Sequence, residues 1–365
     1  MRTLQPTLRL GRDVWDPVNM PVEEFEARAN RLRAEMRRQG MDVLLLYGNG
    51  LDECGYPTYV SNYTVKLPFA AMVILPLEGD AILVFEGSTR GRSAAQATTW
   101  IEDIRPCWNI AETCVTALAE RHSLGAAIGL AGLRRMMPYD QWDLFSAAVT
   151  GAKLMDAEPL VDSLRSVKSD REIAEVWAAS KIVHTTFDDL EAGCFDAATE
   201  SLVAARLIRR ARMQGAEDVR VMVANPLDPD WAFRPPEDGA IAESETISVL
   251  VRASWERYWA EATRTYSVRC GRFEPEWSES DAALFDSIIQ RFTPGRSVAE
   301  LLGELGTACA GNGIGITAIE PPILSTNDSV TILQPGMCLS IRLTLASSVV
   351  RGEMIVIETQ NANRI

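Results

Sequence analysis

The run Asp162-Ser-Leu-Arg-Ser-Val-Lys-Ser-Asp170 divides this chain into two halves with different rhythms, and that change limits the fold more than any other feature. Ser169 and Glu172 have the spacing of a capping box, in which each side chain satisfies the other residue's free backbone N–H. A long amphipathic helix is expected to start there, running through Ile173, Trp177, Phe187 and Leu190. Before the break, strand and helix alternate. Phe25, Ala29, Leu32 and Met36 recur at helical spacing until Gly40 stops the helix. Residues 42–47 read as a buried strand, and 69–75 with 81–85 as a pair of strands around a turn. This is the pattern of an α/β domain, expected over residues 1–160. After the break come a helix over about 197–214 and strands over 219–224, 245–251 and 258–268. Helices follow over 279–291 and after Pro294-Gly295, and strands near 313–319, 337–344 and 353–359 close the chain. Helices clustered around an antiparallel sheet make an α+β domain, expected over 161–365.

A length of 365 residues suits two such domains. The formal charge of −14 argues against a nucleic-acid partner, since phosphate binding needs a concentrated basic face. It favours a small-molecule or peptide partner. The first residues contain no continuous apolar run of the secretory type, and no stretch approaches the ~20 apolar residues that span a bilayer. The chain is therefore expected to be cytoplasmic, with no membrane partner. Its seven cysteines are scattered and never spaced CxxC, so they read as small buried hydrophobes. Two histidines, His122 and His184, serve the whole protein, which removes Ser-His-Asp, Cys-His and multi-histidine metal designs. His184 lies on the apolar stripe of its helix and reads as a hydrogen-bonded boundary residue.

Several short motifs occur in a fixed order. They are Leu164-Arg-Ser-Val-Lys-Ser-Asp-Arg-Glu-Ile173, Ala262-Thr-Arg-Thr-Tyr266, Gly311-Asn-Gly-Ile-Gly315, Ile319-Glu-Pro-Pro322 and Leu333-Gln-Pro-Gly-Met337. Together they resemble the creatinase/prolidase/aminopeptidase P family, in which the same stretches read LRxxKSxxEI, DxTRTF, GHGIG, HEPP and LxPGM. The early "MDVLLLYG" and "YVSNY" are similar to that family's N-terminal domain. The resemblance implies a creatinase-like α/β domain followed by a pita-bread α+β domain, and a homodimer.

Metallopeptidases of the family hold two metal ions with two Asp, one His and two Glu. Carried over, those positions are Leu250, Glu261, Asn312, Arg342 and either Gly352 or Glu353, and the histidine before "EPP" is Ile319. Leucine and asparagine bring no charge, and an arginine repels a cation. No metal and no cofactor are expected. Two readings of Arg342 stay open: an anion clamp for a substrate acid group, or an ion pair with Glu261 or Glu353 filling the emptied site. Creatinases work without metal, which implies that carboxylate acid/base chemistry on Glu261, Glu320 and Glu353 can break a C–N bond. Arg342, Arg264, Asn312, Tyr258, Trp231 and, from the N-terminal domain, Tyr56 are the candidate substrate contacts. A lyase, cyclase or isomerase using the same pocket, or a non-catalytic peptide- or protein-binding module, are the alternatives.

Overall fold

The computed structural model describes residues 15–51, 54–193, 199–228, 232–242, 245–306, 309–324, 331–345 and 349–365. The chain forms two compact units, Met1–Arg165 and Ser166–Ile365.

The first unit alternates as its sequence suggests: α1 (Val22–Gln39), β1 (Val43–Asn49), α2 (Gly55–Ser61), β2 (Ala70–Pro76), β3 (Ile82–Glu86), α3 (Arg92–Gln96), β4 (Asp103–Cys107), α4 (Ile110–Glu120), β5 (Ala127–Ala131), α5 (Leu133–Met136), α6 (Tyr139–Ala148) and β6 (Lys153–Asp156). The helix α7 (Glu158–Ser166) leads to the division. The six strands order as β4-β3-β2-β1-β5-β6. β1 is antiparallel to β2 and parallel to β5, and its residues Leu44, Leu45 and Leu46 are fully buried. Strands buried on both faces read as unbroken apolar runs, and that is why these were visible without alternation.

The second unit opens with α8 (Asp170–Ala192), whose Ser169–Glu172 capping box forms in both directions. It continues through α9 (Glu200–Met213), β7 (Asp218–Ala224), β8 (Thr246–Trp255), β9 (Tyr258–Arg269), β10 (Arg272–Pro275), α10 (Glu279–Ile289), α11 (Val298–Leu305), β11 (Cys309–Gly313), β12 (Glu320–Leu324), β13 (Cys338–Thr344), β14 (Val350–Ile357) and β15 (Ala362–Arg364). The main sheet orders as β12-β11-β13-β14-β9-β8-β7, with β10 on β9 and β15 on β14.

The strand expected at 313–319 is displaced. β11 ends at Gly313, and 314–319 is the turn into β12. Gly311 and Gly313 are strand residues with no room for a side chain. A Cβ on Gly311 would come within 2.1 Å of the Ser340 carbonyl oxygen, and one on Gly313 within 2.4 Å of that of Pro321.

One face of this sheet carries the core. Leu339, Ile341 and Leu343 of β13 and Ile355 and Ile357 of β14 pack with Phe285 and Ile289 of α10 and Leu301 and Leu302 of α11. Strand side chains alternate between faces, so odd-numbered residues of β13 and β14 face the helices and even-numbered ones face away. On β9 the even residues meet α8: Tyr266 Oη donates to Glu191 at 3.0 Å, and Arg264 lies over the Phe187 ring. Glu261 and Thr263 therefore belong to the helix-free face.

Candidate functional site

Strand register brings five dispersed residues onto that helix-free face. Asn312 pairs with Ser340, Arg342 with Gly352, Gly352 with Thr263, Thr263 with Leu250, and Glu261 with Arg252. Directly paired residues share a face, so Leu250, Glu261, Asn312, Arg342 and Gly352 are neighbours there. Gly352 and Glu353 fall on opposite faces of the sheet. Gly352 lies opposite Arg342, whereas Glu353 pairs with Ile341 on the helix-packed face.

The polar contacts on the helix-free face are specific. Glu261 is buried, 2% exposed, with one carboxylate oxygen taking the Ser340 hydroxyl and the other the Arg252 Nε. Asn312 commits its Nδ2 to the carbonyls of Gly313 (2.7 Å) and Ala318 (3.2 Å), which leaves Oδ1 as an acceptor. The half-buried Arg342 sets its guanidinium over the Phe233 ring, 5.5 Å from the centroid. Among the described residues no carboxylate pairs with it. The hydroxyl of fully buried Thr263 has no hydrogen-bond partner among the described residues.

The three candidate glutamates are not brought together. Glu353 lies on the other face, where Arg264 Nη2 is 3.0 Å and Arg351 Nη2 2.6 Å from its Oε1. His184 Nε2 is 3.7 Å from the other oxygen. Burial pushes the Glu353 carboxyl up, but Arg264, Arg351 and His184 outweigh that and hold it below its ordinary 4.5. Arg264 belongs to the same cluster, with Nη1 on the carbonyls of Thr263 and Gly352 and Nη2 3.1 Å from His184 Nδ1. Glu320, 2% exposed, is bound by Lys168 Nζ at 2.8 Å and by the Thr317 N–H at 3.0 Å. Tyr258 is buried and donates to Glu172 at 3.1 Å. Tyr56, in the first unit, has its Oη 3.4 Å from Asp162 and its ring beneath the Arg165 guanidinium. Trp231 lies outside the described residues.

Ser340 and Thr263 are site residues to which the resemblance assigns no ligand position, although each stands two places along a strand from a candidate residue, hence on the same face. Phe233 carried no signal, because its loop follows no periodic pattern.

His184 supplies a pH dependence. Burial lowers its pKa below 6.5, Glu353 opposing and Arg264 assisting. The unfolded chain therefore takes up this proton first, and folding stability falls as pH drops below 6.5. Replacing His184 by asparagine is expected to flatten the pH dependence of the urea midpoint between 6.5 and 4.5. An unchanged slope would remove His184 as its source.

A pair of divalent ions does not fit this donor set. Of the five positions only Glu261 is anionic, it is already neutralised by Arg252, and Arg342 adds a repelling cation. Among the described residues no group of three or more His, Cys, Asp or Glu side chains could hold a metal ion. The thiols are no better placed, since burial pushes those of Cys309 and Cys338 up to about 12. No helix among the described residues is long and apolar enough to cross a membrane.

Residues 28–167 match the Creatinase/Prolidase N-terminal domain. The chain is similar to ectoine hydrolase of Halomonas elongata, 24% identical over 376 residues, covering 88% of this chain and 89% of that protein. It is also similar to the uncharacterized peptidase YqhT of Bacillus subtilis, 26% identical over 248 residues, covering 62% and 69%. In fold it is similar to an Xaa-Pro dipeptidase from Bacillus anthracis, with a TM-score of 0.71 and 19% identity over 93% of this chain and 97% of that one.

Proposed function

We propose, from its likeness to the creatinase/prolidase family, that this chain hydrolyses an amide-like C–N bond in a small carboxylate-bearing substrate without a metal ion. Relatives named as an ectoine hydrolase and an Xaa-Pro dipeptidase support the reaction class. One observation carries the reading: Arg342 projects from the helix-free face, at a position the resemblance gives to a metal ligand, and no carboxylate among the described residues pairs with it.

A planar guanidinium binds a carboxylate through two parallel hydrogen bonds, so Arg342 holds the substrate's acid group. Asn312 Oδ1 accepts from a substrate N–H on the same face. Glu261, paired with Arg252, takes a proton from a water molecule as its oxygen bonds to the substrate carbonyl carbon. The same proton passes to the leaving nitrogen as the C–N bond breaks, giving an acid and an amine. Glu320, Glu353, Arg264 and Tyr258 support the scaffold in this reading. Tyr56 has no part in this reading; a homodimer and a cytoplasmic location rest on the family alone, and sedimentation tests the dimer.

The test is amine release from a panel of N-acetyl amino acids and dipeptides, before and after dialysis against EDTA. Equal rates are expected in both, with no release from the matching carboxamides. Activity abolished by EDTA overturns the metal-free reading. A second reading, a non-catalytic binder of carboxylate-ended ligands, is favoured by Glu261 having both oxygens already engaged; binding without product in this assay selects it.

A further inference from the structure

We infer that Gly352 is the positioning residue of the Arg342 clamp: the missing side chain there lets the arginine stem lie across β14 and carry its guanidinium to Phe233. The inference rests on the clamp reading above and goes on to say what holds the clamp in place.

Glycine inside a strand costs about 0.5–1 kcal/mol relative to alanine, so its presence in the middle of β14 needs a reason. Backbone conformation is not that reason, because Gly352 is not among the residues with positive φ. Space is. A Cβ at 352 would lie 2.8 Å from Arg342 Cγ, 2.9 Å from Thr263 Oγ1 and 3.0 Å from Thr263 Cβ. Separations this short force one neighbour to move.

Two side chains meet at the point, those of Thr263 and Arg342, and only that of Arg342 can move. Thr263 is β-branched, fully buried and paired with both Leu250 and Gly352. The Gly352 backbone cannot retreat, because its carbonyl accepts from Arg264 Nη1 at 3.0 Å on the opposite face, and Glu353 holds Arg264 in turn. Arg342 is the half-buried member with a flexible stem and no ion pair among the described residues. Any side chain at 352 therefore displaces Arg342.

Two measurements test this on the full chain. Crystal structures of wild type and Gly352→Ala are expected to show the guanidinium leaving the Phe233 ring in the variant; an unmoved guanidinium overturns the inference whatever ligands do. Calorimetric titration with N-acetyl-L-alanine is expected to show about tenfold or greater weakening in Gly352→Ala, the equivalent of one charge-assisted hydrogen bond. The same change should cost nothing further in an Arg342→Ala background, and should not alter binding of N-acetyl-L-alaninamide. Equal losses in both backgrounds overturn the inference. Arg342→Ala binding as wild type does would instead sink the clamp itself, so the two failures are separable.

Discussion

Replacing Glu353 by alanine is expected to lower the stability of this protein by on the order of 3–5 kcal/mol, the usual cost of removing one partner from a buried charged group. Three groups depend on this carboxylate. Arg264 and Arg351 reach it at 3.0 and 2.6 Å, and His184 at 3.7 Å. Phe187 and Trp277 rings back the two guanidiniums, so neither can turn easily toward water when the carboxylate is gone. Equilibrium urea unfolding measures the effect, as a lower midpoint at unchanged slope. Glu353→Gln keeps the volume but not the charge, and it is expected to lose most of the same stability. Acidification mimics it: the carboxyl is held below 4.5 in the folded state, so its contribution is present above that value and is lost as pH falls through the folded pKa. A Glu353→Ala protein that unfolds at the wild-type midpoint would mean the cluster is not a supporting element. Wild-type stability combined with lost turnover would return Glu353 to chemistry.

Glu353 also shows where the amino-acid sequence stops informing. The motifs locate both strands, and the Ser169–Glu172 cap marks the start of the second unit's first helix. What motif spacing leaves open is a register of one residue, and in a strand one residue exchanges the faces of the sheet. Gly352 and Glu353 are equivalent as text; across β13 they are opposite Arg342 and opposite Ile341. Glu320 shows a second limit. A glutamate in a motif looks chemical, but here Lys168, far away in sequence, buries it in an ion pair. Leu250, Asn312 and Arg342 were legible together because the family resemblance carries a ligand position onto each, and the strand pairing places all three on one face. The stack of Arg342 on Phe233 was not legible, since it joins a strand to an irregular loop.

Arg342→Ala is expected to weaken binding of small carboxylates by about 100-fold or more, in the range measured when one partner of a hydrogen-bonded charge pair is truncated. The carboxylates that could have neutralised this arginine are engaged elsewhere: Glu261 by Arg252 and Ser340, Glu353 by Arg264 and Arg351. A half-buried guanidinium held against an aromatic ring loses little further conformational freedom when an anion arrives, so most of its attraction appears as affinity. Arg342→Lys keeps the charge but loses the planar fork, and an intermediate loss of about tenfold follows. Phe233→Leu removes the platform alone, worth ~0.5–1 kcal/mol, so a several-fold loss is expected. Calorimetry with N-acetyl-L-alanine and its carboxamide separates charge recognition from general contact, because the carboxamide should bind wild type and Arg342→Ala equally weakly. Moderate salt should narrow the gap without closing it, since screening acts less on a partly buried pair. If Arg342→Ala distinguishes acid from amide as well as wild type does, the cation on this face recognises no acid group.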